Sequence, residues 1–188
     1  IEDQPNYAGD RFIRGNAMFY DELLAAGAFD AIHAYPPCQA YSSVTGEHRD
    51  KHPDLVENVR GMLKQWSEEW GGLYVIENVP GAPLENPIQL CGSAFNLGVQ
   101  RHRLFECNFP VMAPGCAHGQ MPARFDVYEH GRWYKSPFAK VYGSGGGKAM
   151  EHWPEAMVID WMTSKELSQA IPPAYTEFIG RQLIEVLQ

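Results

Sequence analysis

The sequence has 188 residues and a formal net charge of −8; 45% of its residues are hydrophobic and 20% are charged. This composition is typical of a globular domain with a sizeable core, and it excludes a disordered or fibrous chain. No apolar run is long enough to cross a bilayer, and no signal peptide pattern is present, so we expect no membrane association. The four cysteines, Cys38, Cys91, Cys107 and Cys116, show no CxxC spacing. Reduced thiols in a cytoplasmic setting are therefore expected.

The charge is unevenly distributed along the chain. Residues 99–148 carry a net charge of +4, whereas the remainder carries −12. Aromatic residues are interleaved with the bases of this segment: Phe125, Tyr128, Trp133, Tyr134, Phe138 and Tyr142. Such a segment could meet a phosphate backbone, but a solvated surface excursion is the alternative, so the charge favours nucleic acid only mildly.

The N-terminal part of the chain predicts alternating strands and helices. Residues 12–13 are a short strand candidate, residues 19–26 are predicted to be helical, and residues 29–34 form a buried strand. This order implies parallel strands joined by right-handed crossovers. The predicted fold class is therefore α/β, with a doubly wound, mostly parallel sheet.

A cysteine follows the strand of residues 29–34. In the sequence Tyr35-Pro36-Pro37-Cys38 the prolines end the strand, because neither can donate to a ladder. Cys38 thus lies on a loop at the predicted carboxyl edge of the sheet, where ligands collect in α/β proteins. The polar residues 42–53 that follow are either a mobile cover for a site or a simple connection.

The middle of the chain brings further polar residues toward the same edge. Residues 54–70 have the apolar spacing of a helix, which Gly71-Gly72 should end. The apolar residues 73–76 predict a buried parallel strand that delivers Glu77-Asn78 beside Cys38. Arg101-His102-Arg103 precedes another strand candidate, residues 104–107.

The last third predicts loops and then helices. Residues 108–147 lack periodicity and indicate loops with short hairpins. A helix is expected near residues 153–161, and Thr163 to Glu166 fit a capping box that opens a second helix. A final helix follows Pro172-Pro173.

Three polar groups at strand ends suggest one reaction. A cysteine thiolate can add to an electron-poor ring, a desolvated carboxyl group can hold a proton for a ring nitrogen, and a guanidinium group can stabilise charge on a ring carbonyl. Each group alone is more often structural: Cys38 could be packed, Glu77-Asn78 could cap a turn, and Arg101 and Arg103 could be solvated. Their combination in this order favours one shared reaction over three separate structural roles.

With these motifs, the chain resembles the cytosine-5 DNA methyltransferases, especially the short versions of bacteria and phages. The residues that carry the resemblance are Pro36-Pro37-Cys38-Gln39, Glu77-Asn78-Val79, Arg101-His102-Arg103 and Ala170-Ile171-Pro172-Pro173. The resemblance covers nearly the whole chain except its variable middle. It implies a Rossmann-like catalytic core with a small irregular target-recognition insert.

The resemblance also implies a role for each residue toward a flipped cytosine. Cys38 would attack C6, Glu77 would contact N3 and the exocyclic amine, and Asn78 would support the Cys38 loop. Arg103, with Arg101 nearby, would address O2. The methyl group would come from S-adenosylmethionine, leaving S-adenosylhomocysteine.

The implied cofactor-binding residues are Ile1, Asn16, Ala17, Pro36, Gln169, Ala170 and Ile171. The family's opening strand, its Gly-rich turn and its ribose-binding acid have no counterpart in this sequence. We therefore expect a missing N-terminal segment or a partner chain to complete the cofactor site.

The implied division of the chain is a core of residues 1–98, a target-recognition region of residues 99–150 and C-terminal helices of residues 151–188. The implied partner is double-stranded DNA in a bacterial or phage-infected cell. Two alternatives are a DNA-binding homologue without catalysis and a cytosine-5 RNA methyltransferase. No metal is predicted, because Cys107, Cys116 and His118 lack a fourth ligand at zinc spacing.

Overall fold

The computed structural model describes residues 5–19, 29–42, 45–141 and 147–188. Within these ranges the strands are β1 (Ala31–Ala34), β2 (Leu73–Asn78), β3 (Ile88–Leu90), β4 (Arg103–Cys107), β5 (Phe125–Glu129) and β6 (Arg132–Ser136). The α-helices are α1 (Val56–Trp70), α2 (Trp153–Met157), α3 (Ser164–Gln169) and α4 (Pro173–Leu187). Short 3₁₀ helices lie at Ala17–Phe19, Gly46–Lys51, Gly92–Phe95, His118–Gln120 and Gly147–His152.

The main sheet is mixed and has the strand order β1-β2-β4-β3. β1 and β2 are parallel, whereas β4 runs antiparallel to both β2 and β3. The register pairs Ala34 with Ile76 and Glu77 with Phe105. The ends of β1 and β2 and the beginning of β4 therefore meet at one edge of the sheet.

The prediction of a doubly wound, mostly parallel sheet is wrong. Only β1 and β2 are parallel among the described strands, and residues 12–13 form no strand. Parallel neighbours need a long crossover, usually a helix, and α1 supplies one between β1 and β2. The connections from β2 to β3 and from β3 to β4 contain no α-helix, and β4 reverses direction. Most of the helix predicted at residues 19–26 lies outside the described residues.

Several local predictions are confirmed. α1 ends at Gly71, which has a φ of 71° and donates its N–H to the Ser67 carbonyl at 2.8 Å. The left-handed conformation at this point is the one that glycine adopts without a Cβ penalty. The capping box of Thr163 and Glu166 opens α3 with both of its hydrogen bonds.

The two faces of the main sheet are covered differently. Tyr74 and Ile76 of β2 pack with Leu63 of α1 on one face. Val75 of β2 and Phe105 of β4 belong to a larger core on the other face. That core extends to the second sheet and the C-terminal helices through Phe125, Val127, Trp153, Met157, Tyr175 and Ile179. Because side chains alternate along a strand, Glu77 follows Val75 onto the face of the larger core.

β5 and β6 form a separate antiparallel hairpin. Its turn is His130-Gly131, and both residues have positive φ, at 52° and 79°, as a two-residue hairpin turn requires. The hairpin is anchored through Gly98, where an added Cβ would lie 2.4 Å from the Phe125 ring. Only glycine permits this close approach.

Within the described ranges, no helix combines the length and the apolar character needed to span a bilayer.

Candidate functional site

The Cys38 loop is held at the end of β1 by backbone hydrogen bonds. The Cys38 carbonyl accepts from the N–H groups of Tyr41 at 3.0 Å and Ser42 at 2.9 Å. The buried side chain of Asn78, at the end of β2, donates from Nδ2 to the Pro36 carbonyl at 3.0 Å. Its Oδ1 accepts from the Val79 N–H at 2.9 Å. Asn78 therefore joins the two loops that leave the parallel strands.

Glu77 is a fully buried carboxyl group beside Arg103. The Arg103 Nε and the Glu77 Oε1 are 3.0 Å apart. The contact lacks hydrogen-bond alignment, so both Glu77 oxygens and the Arg103 Nε have no hydrogen-bond partner within the described chain. Burial raises the pKa of Glu77 to about 7, although the charges of Arg103 and Arg101 act in the opposite direction. The carboxyl group is therefore close to half protonated at neutral pH.

Arg101 binds backbone carbonyls from distant parts of the chain. It donates from Nη1 to the Val141 carbonyl at 2.7 Å and from Nη2 to the Ser168 carbonyl at 2.8 Å. Its φ is 37°, a strained value for a residue with a side chain. Burial, and then the neighbouring Arg103, lower the pKa of Arg101 to about 10. Two of its three guanidinium nitrogens thus stabilise the fold by binding backbone carbonyls. Of the two arginines, Arg103 therefore has the guanidinium group that can more readily contact a ligand.

Tyr35 is a site residue that the sequence reasoning missed. Its hydroxyl group donates to the Cys38 Sγ at 3.4 Å. Burial, the hydrogen bond to Cys38 and the charge of Glu77 all raise the pKa of Tyr35, whereas Arg103 lowers it. The available signal was the phenol three residues before the cysteine, but the reach of that side chain depends on the turn that the two prolines impose.

Some of these groups border a cavity of about 590 Å³. Cys38, Arg101, Arg103 and Gln169 line it, together with Tyr134 and residues 138–141 from the second sheet and its C-terminal extension. Ser42 and Thr45 also line it, and they belong to the polar residues 42–53, for which a mobile cover and a simple connection were the two alternatives. Glu77 and Asn78 do not line the cavity; they lie behind Arg103 and the Cys38 loop. The volume suits a small ligand or one nucleotide base with part of its sugar.

The residues predicted to bind the cofactor are not all at this cavity. Gln169 lines it, and Pro36 is buried beneath the Cys38 loop. Asn16 accepts from the Met18 N–H at 3.1 Å, Ala17 begins a 3₁₀ helix, and neither lines the cavity. Ala170 and Ile171 pack against the larger core instead. Ile1 lies outside the described residues.

The fit of S-adenosylmethionine to the described residues is only partial. A dinucleotide or nucleoside cofactor is usually held where a strand runs into a glycine-rich turn and a helix N-terminus. Neither described parallel strand does so: β1 leads into the Cys38 loop, and β2 leads into Val79-Pro80-Gly81. No acid among the lining residues could hold ribose hydroxyls. The described residues therefore do not make a complete site for this cofactor.

The hairpin of β5 and β6 has exposed aromatic side chains, whereas lysines on it and just after it form ion pairs. Tyr128 and Trp133 are exposed, with ring centroids 5.3 Å apart. Lys135 pairs with Asp126 at 2.9 Å, and Lys140 pairs with Glu129 at 3.2 Å. The positive charge of residues 99–148 is therefore partly neutralised where it adjoins the cavity.

No family model matches this chain, and a search of curated proteins gives no match. Function is therefore inferred from the chemistry of the site.

Proposed function

We propose that this protein transfers a methyl group to C5 of cytosine in double-stranded DNA, through a covalent bond between Cys38 and C6. The observation that carries the proposal is the buried Glu77 carboxyl group. Both of its oxygens lack hydrogen-bond partners within the described chain, and it lies beside Arg103, behind a cavity that Cys38 lines. A buried polar group without partners is costly to a fold unless a ligand completes it.

The chemistry of Glu77 supports cytosine as that ligand. A protonated carboxyl group has one donor and one acceptor. It can donate to the unprotonated N3 of cytosine and accept from the exocyclic amine, whereas uracil presents the opposite pattern. The raised pKa of Glu77, about 7, keeps the proton available at neutral pH. Arg103 carries the positive charge suited to the O2 carbonyl, since a guanidinium group cannot lose its proton there.

The reaction of the base follows from these positions. The Cys38 thiolate forms a bond to C6 while N3 receives a proton from Glu77, so that the electron pair of the C5–C6 double bond becomes available at C5. After C5 has gained its substituent, water takes the C5 proton and the Cys38 thiolate leaves C6, which restores the double bond, and N3 returns its proton to Glu77. The hydroxyl group of Tyr35, 3.4 Å from the sulfur, orients the Cys38 side chain.

Access to Glu77 requires a local rearrangement. Glu77 does not line the cavity, whereas Arg103, whose Nε is 3.0 Å from the Glu77 Oε1, does, so the guanidinium group has to move before a base reaches the carboxyl group. Because the contact between Arg103 and Glu77 lacks hydrogen-bond alignment, turning the guanidinium group toward an incoming base sacrifices no formed hydrogen bond at its Nε. A base could then occupy the position between the two side chains.

The methyl donor of the proposal is S-adenosylmethionine, which would supply an electrophilic methyl group to C5. Of the predicted cofactor residues, Gln169 lines the cavity, and Pro36 is buried in the loop that carries Cys38. Since the fit of this donor to the described residues is only partial, the steps given above concern the base alone.

DNA as the substrate is supported by the second sheet. Tyr134 and Lys140 line the cavity, and Tyr128 and Trp133 are exposed on the same hairpin. A base inside a duplex cannot reach a buried cysteine, so it must be flipped out of the stack. Tyr134, which lines the cavity and is 37% exposed, can contact the bases or sugars that remain, whereas Tyr128 and Trp133 lie on the opposite face of the hairpin.

Hydrogen exchange at C5 of cytosine tests the base chemistry without a methyl donor. Reversible addition of Cys38 makes C5 basic, so it takes a proton from water, and elimination then releases the exchanged base. Duplex DNA of random sequence, deuterated at cytosine C5, is incubated with the protein, and loss of deuterium is followed by mass spectrometry. Exchange is expected with the native chain and with the control Cys107→Ser, and none with Cys38→Ser. Glu77→Gln should slow it by about 10²- to 10⁴-fold.

Three outcomes would count against the proposal. Exchange that survives Cys38→Ser would exclude the covalent step, and no exchange with the folded native chain would favour a DNA-binding protein without catalysis. Exchange in transfer RNA but not in duplex DNA would assign the chemistry to RNA. Adding S-adenosylmethionine to DNA that contains 5-fluorocytosine then tests the donor separately, because methyl transfer traps the adduct on Cys38.

A further inference from the structure

Four side chains with metal-binding atoms converge next to β3 and β4. Cys91 directly follows β3, His102 directly precedes β4, and Cys116 and His118 lie on the loop after β4. Their ligand atoms all lie within 4.8 Å of one another. No carboxylate belongs to this group, so its donors are two sulfurs and two imidazole nitrogens.

The distances within this group approach those of a tetrahedral site. The Cys91 Sγ is 3.0 Å from the His118 Nε2, and the Cys116 Sγ is 3.4 Å from the His102 Nε2. Zinc bonds of about 2.3 Å to sulfur and about 2.0 Å to nitrogen place tetrahedral ligand atoms roughly 3.3–3.8 Å apart. The rings of His102 and His118 are inclined at 65°, with centroids 5.2 Å apart, so both can direct Nε2 toward one point without stacking.

We propose that Cys91, His102, Cys116 and His118 bind one zinc ion as a structural Cys₂His₂ site. Two thiolates and two imidazoles form the donor set that zinc prefers, whereas magnesium and calcium prefer oxygen. Four protein ligands fill a tetrahedral shell and leave no open position. The ion would therefore stabilise the fold and take no part in catalysis.

The surroundings of the group resemble those of a supported metal site. The Ser93 Oγ lies 3.1 Å from the Cys91 Sγ and accepts from the Ala117 N–H at 2.9 Å. Because the hydroxyl oxygen accepts from Ala117, its own hydrogen is left to donate to the Cys91 thiolate. Residues around metal sites commonly donate to the metal ligands in this way. The His118 ring packs edge-on against Phe138 at 5.8 Å, which restricts its orientation.

The backbone beside the first two ligands is also tightly fixed. The Gly92 N–H donates to the Gln100 carbonyl at 2.7 Å, and the Gly92 carbonyl accepts from the Leu97 N–H at 2.9 Å. A Cβ at Gly92 would lie 2.0 Å from the Val99 carbonyl oxygen. This compact turn brings Cys91 and His102 together before any metal is present.

A bound zinc ion would affect the cavity by fixing the position of residues that line it. His102 lies between Arg101 and Arg103 in the sequence, and both arginines line the cavity. Binding His102 to an ion shared with the loop of Cys116 and His118 would fix the chain at the beginning of β4. The proposal does not rest on the proposed function, since it concerns only these four ligands.

The sequence could not reveal this group by spacing. Its ligands follow the pattern Cys-x₁₀-His-x₁₃-Cys-x-His, which lacks the close CxxC or HxxxH pairs of familiar zinc modules. Cys107, which the sequence analysis grouped with Cys116 and His118, is not part of the cluster. The antiparallel pairing of β3 with β4 is what brings Cys91 and His102 together.

Metal titration of the whole chain tests the proposal. Protein that has been reduced and stripped with a chelator is titrated with Zn²⁺, and with Co²⁺ as a spectroscopic probe. One equivalent is expected, and the cobalt form should show thiolate-to-cobalt charge-transfer bands and the intense visible bands of tetrahedral geometry. Cys116→Ser and His118→Ala should each lower the affinity at least about 100-fold, and Ser93→Ala should lower it about 10-fold.

Cys107→Ser is the matched control, and it should bind metal like the native chain. Cys116 is exposed and His118 is only half-buried, so their variants should fold, which circular dichroism checks. The proposal is overturned if the folded native chain binds no zinc at micromolar concentration. It is also overturned if Cys116→Ser retains full affinity.

Discussion

Two buried carboxyl groups lie on opposite faces of the β2–β4 pair, and their surroundings differ. Glu106 of β4 is opposite Ile76 and faces α1, whereas Glu77 of β2 is opposite Phe105 and faces the larger core. Each has an arginine partner. Glu106 accepts from the Nε of Arg60 at 2.9 Å, while Glu77 has Arg103 at 3.0 Å without an aligned hydrogen bond.

Further hydrogen bonds satisfy the buried polar atoms of Glu106 and Arg60. The Arg60 Nη2 donates to both the Glu106 Oε2 and the Pro83 carbonyl, and the Glu85 N–H donates to the same Glu106 oxygen at 2.7 Å. Glu57 at the surface adds a further partner to Arg60. Every polar atom of this ion pair that is buried has a protein partner, whereas both oxygens of Glu77 have none within the described chain.

The contrast separates a structural ion pair from a site. A buried charge stabilises a fold only when its hydrogen bonds are complete, and Glu106 meets that condition. Both oxygens of Glu77 instead lack hydrogen-bond partners among the described residues, and burial raises its pKa to about 7, so the carboxyl group can exchange hydrogen bonds with a ligand. Burial alone therefore does not identify a functional carboxyl group; burial without hydrogen-bond partners, beside a cavity, is more informative.

The largest expected loss of stability comes from the ion pair of Glu106 and Arg60. Glu106→Gln should destabilise the protein by about 3–5 kcal/mol, because it leaves the guanidinium group of Arg60 buried without its charge partner. Urea denaturation at neutral pH measures the change. A loss below about 1 kcal/mol would show that the two ion pairs do not differ in the way the geometry indicates.

The effect of replacing Glu77 on the free energy of unfolding should depend on pH. The pKa of Glu77 is raised from 4.5 to about 7 by burial, against the charges of Arg103 and Arg101 and beside the Tyr35 hydroxyl. Between these values the folded state binds more protons than the unfolded state, so the native protein loses stability as pH rises. Glu77→Gln removes this dependence. Its stability relative to the native chain should increase by about 3 kcal/mol from about pH 4 to about pH 8.

Denaturation of the native protein and Glu77→Gln at both pH values gives this difference directly. Groups that titrate in both proteins cancel in the comparison. A difference that stays constant with pH would mean that the pKa of Glu77 is the same in the folded and unfolded states. The carboxyl group would then be ionised at neutral pH, and the proton donation to N3 would lose its support.

The smallest expected loss of stability comes from Glu57, the exposed partner of Arg60. Glu57 pairs with Arg60, but its own side chain is 69% exposed. Glu57→Ala should therefore cost only about 0.5 kcal/mol, since water screens exposed ion pairs. The same denaturation assay applies, and a loss as large as that of Glu106→Gln would show that solvent does not screen this pair.

The sequence predicted the local elements better than their arrangement. α1, its end at Gly71, the buried β2 and the Thr163–Glu166 capping box depend on short-range patterns, and the structure confirms them. The direction of β4 relative to β2 is set by tertiary pairing, which no local pattern contains. The doubly wound sheet was consequently wrong.

The site shows the same division. Cys38, Arg101 and Arg103 were identified from motifs, and the structure places all three at one cavity. Tyr35 was missed because its contact with Cys38 depends on the geometry of the loop. The group of Cys91 and His102 was missed because only the β3–β4 pairing brings the two residues together.

The hydrogen bonds of Arg101 also have a consequence for synthesis of the protein. This residue binds the carbonyls of Val141 and Ser168, and the Tyr175 hydroxyl group donates to the Arg101 carbonyl at 3.0 Å. A nascent chain on the ribosome holds Cys38, Glu77 and Arg103 long before these three residues have emerged. The cavity therefore assembles late in translation, and until then Arg101 lacks these partners and the Cys38 thiol is not yet part of a cavity.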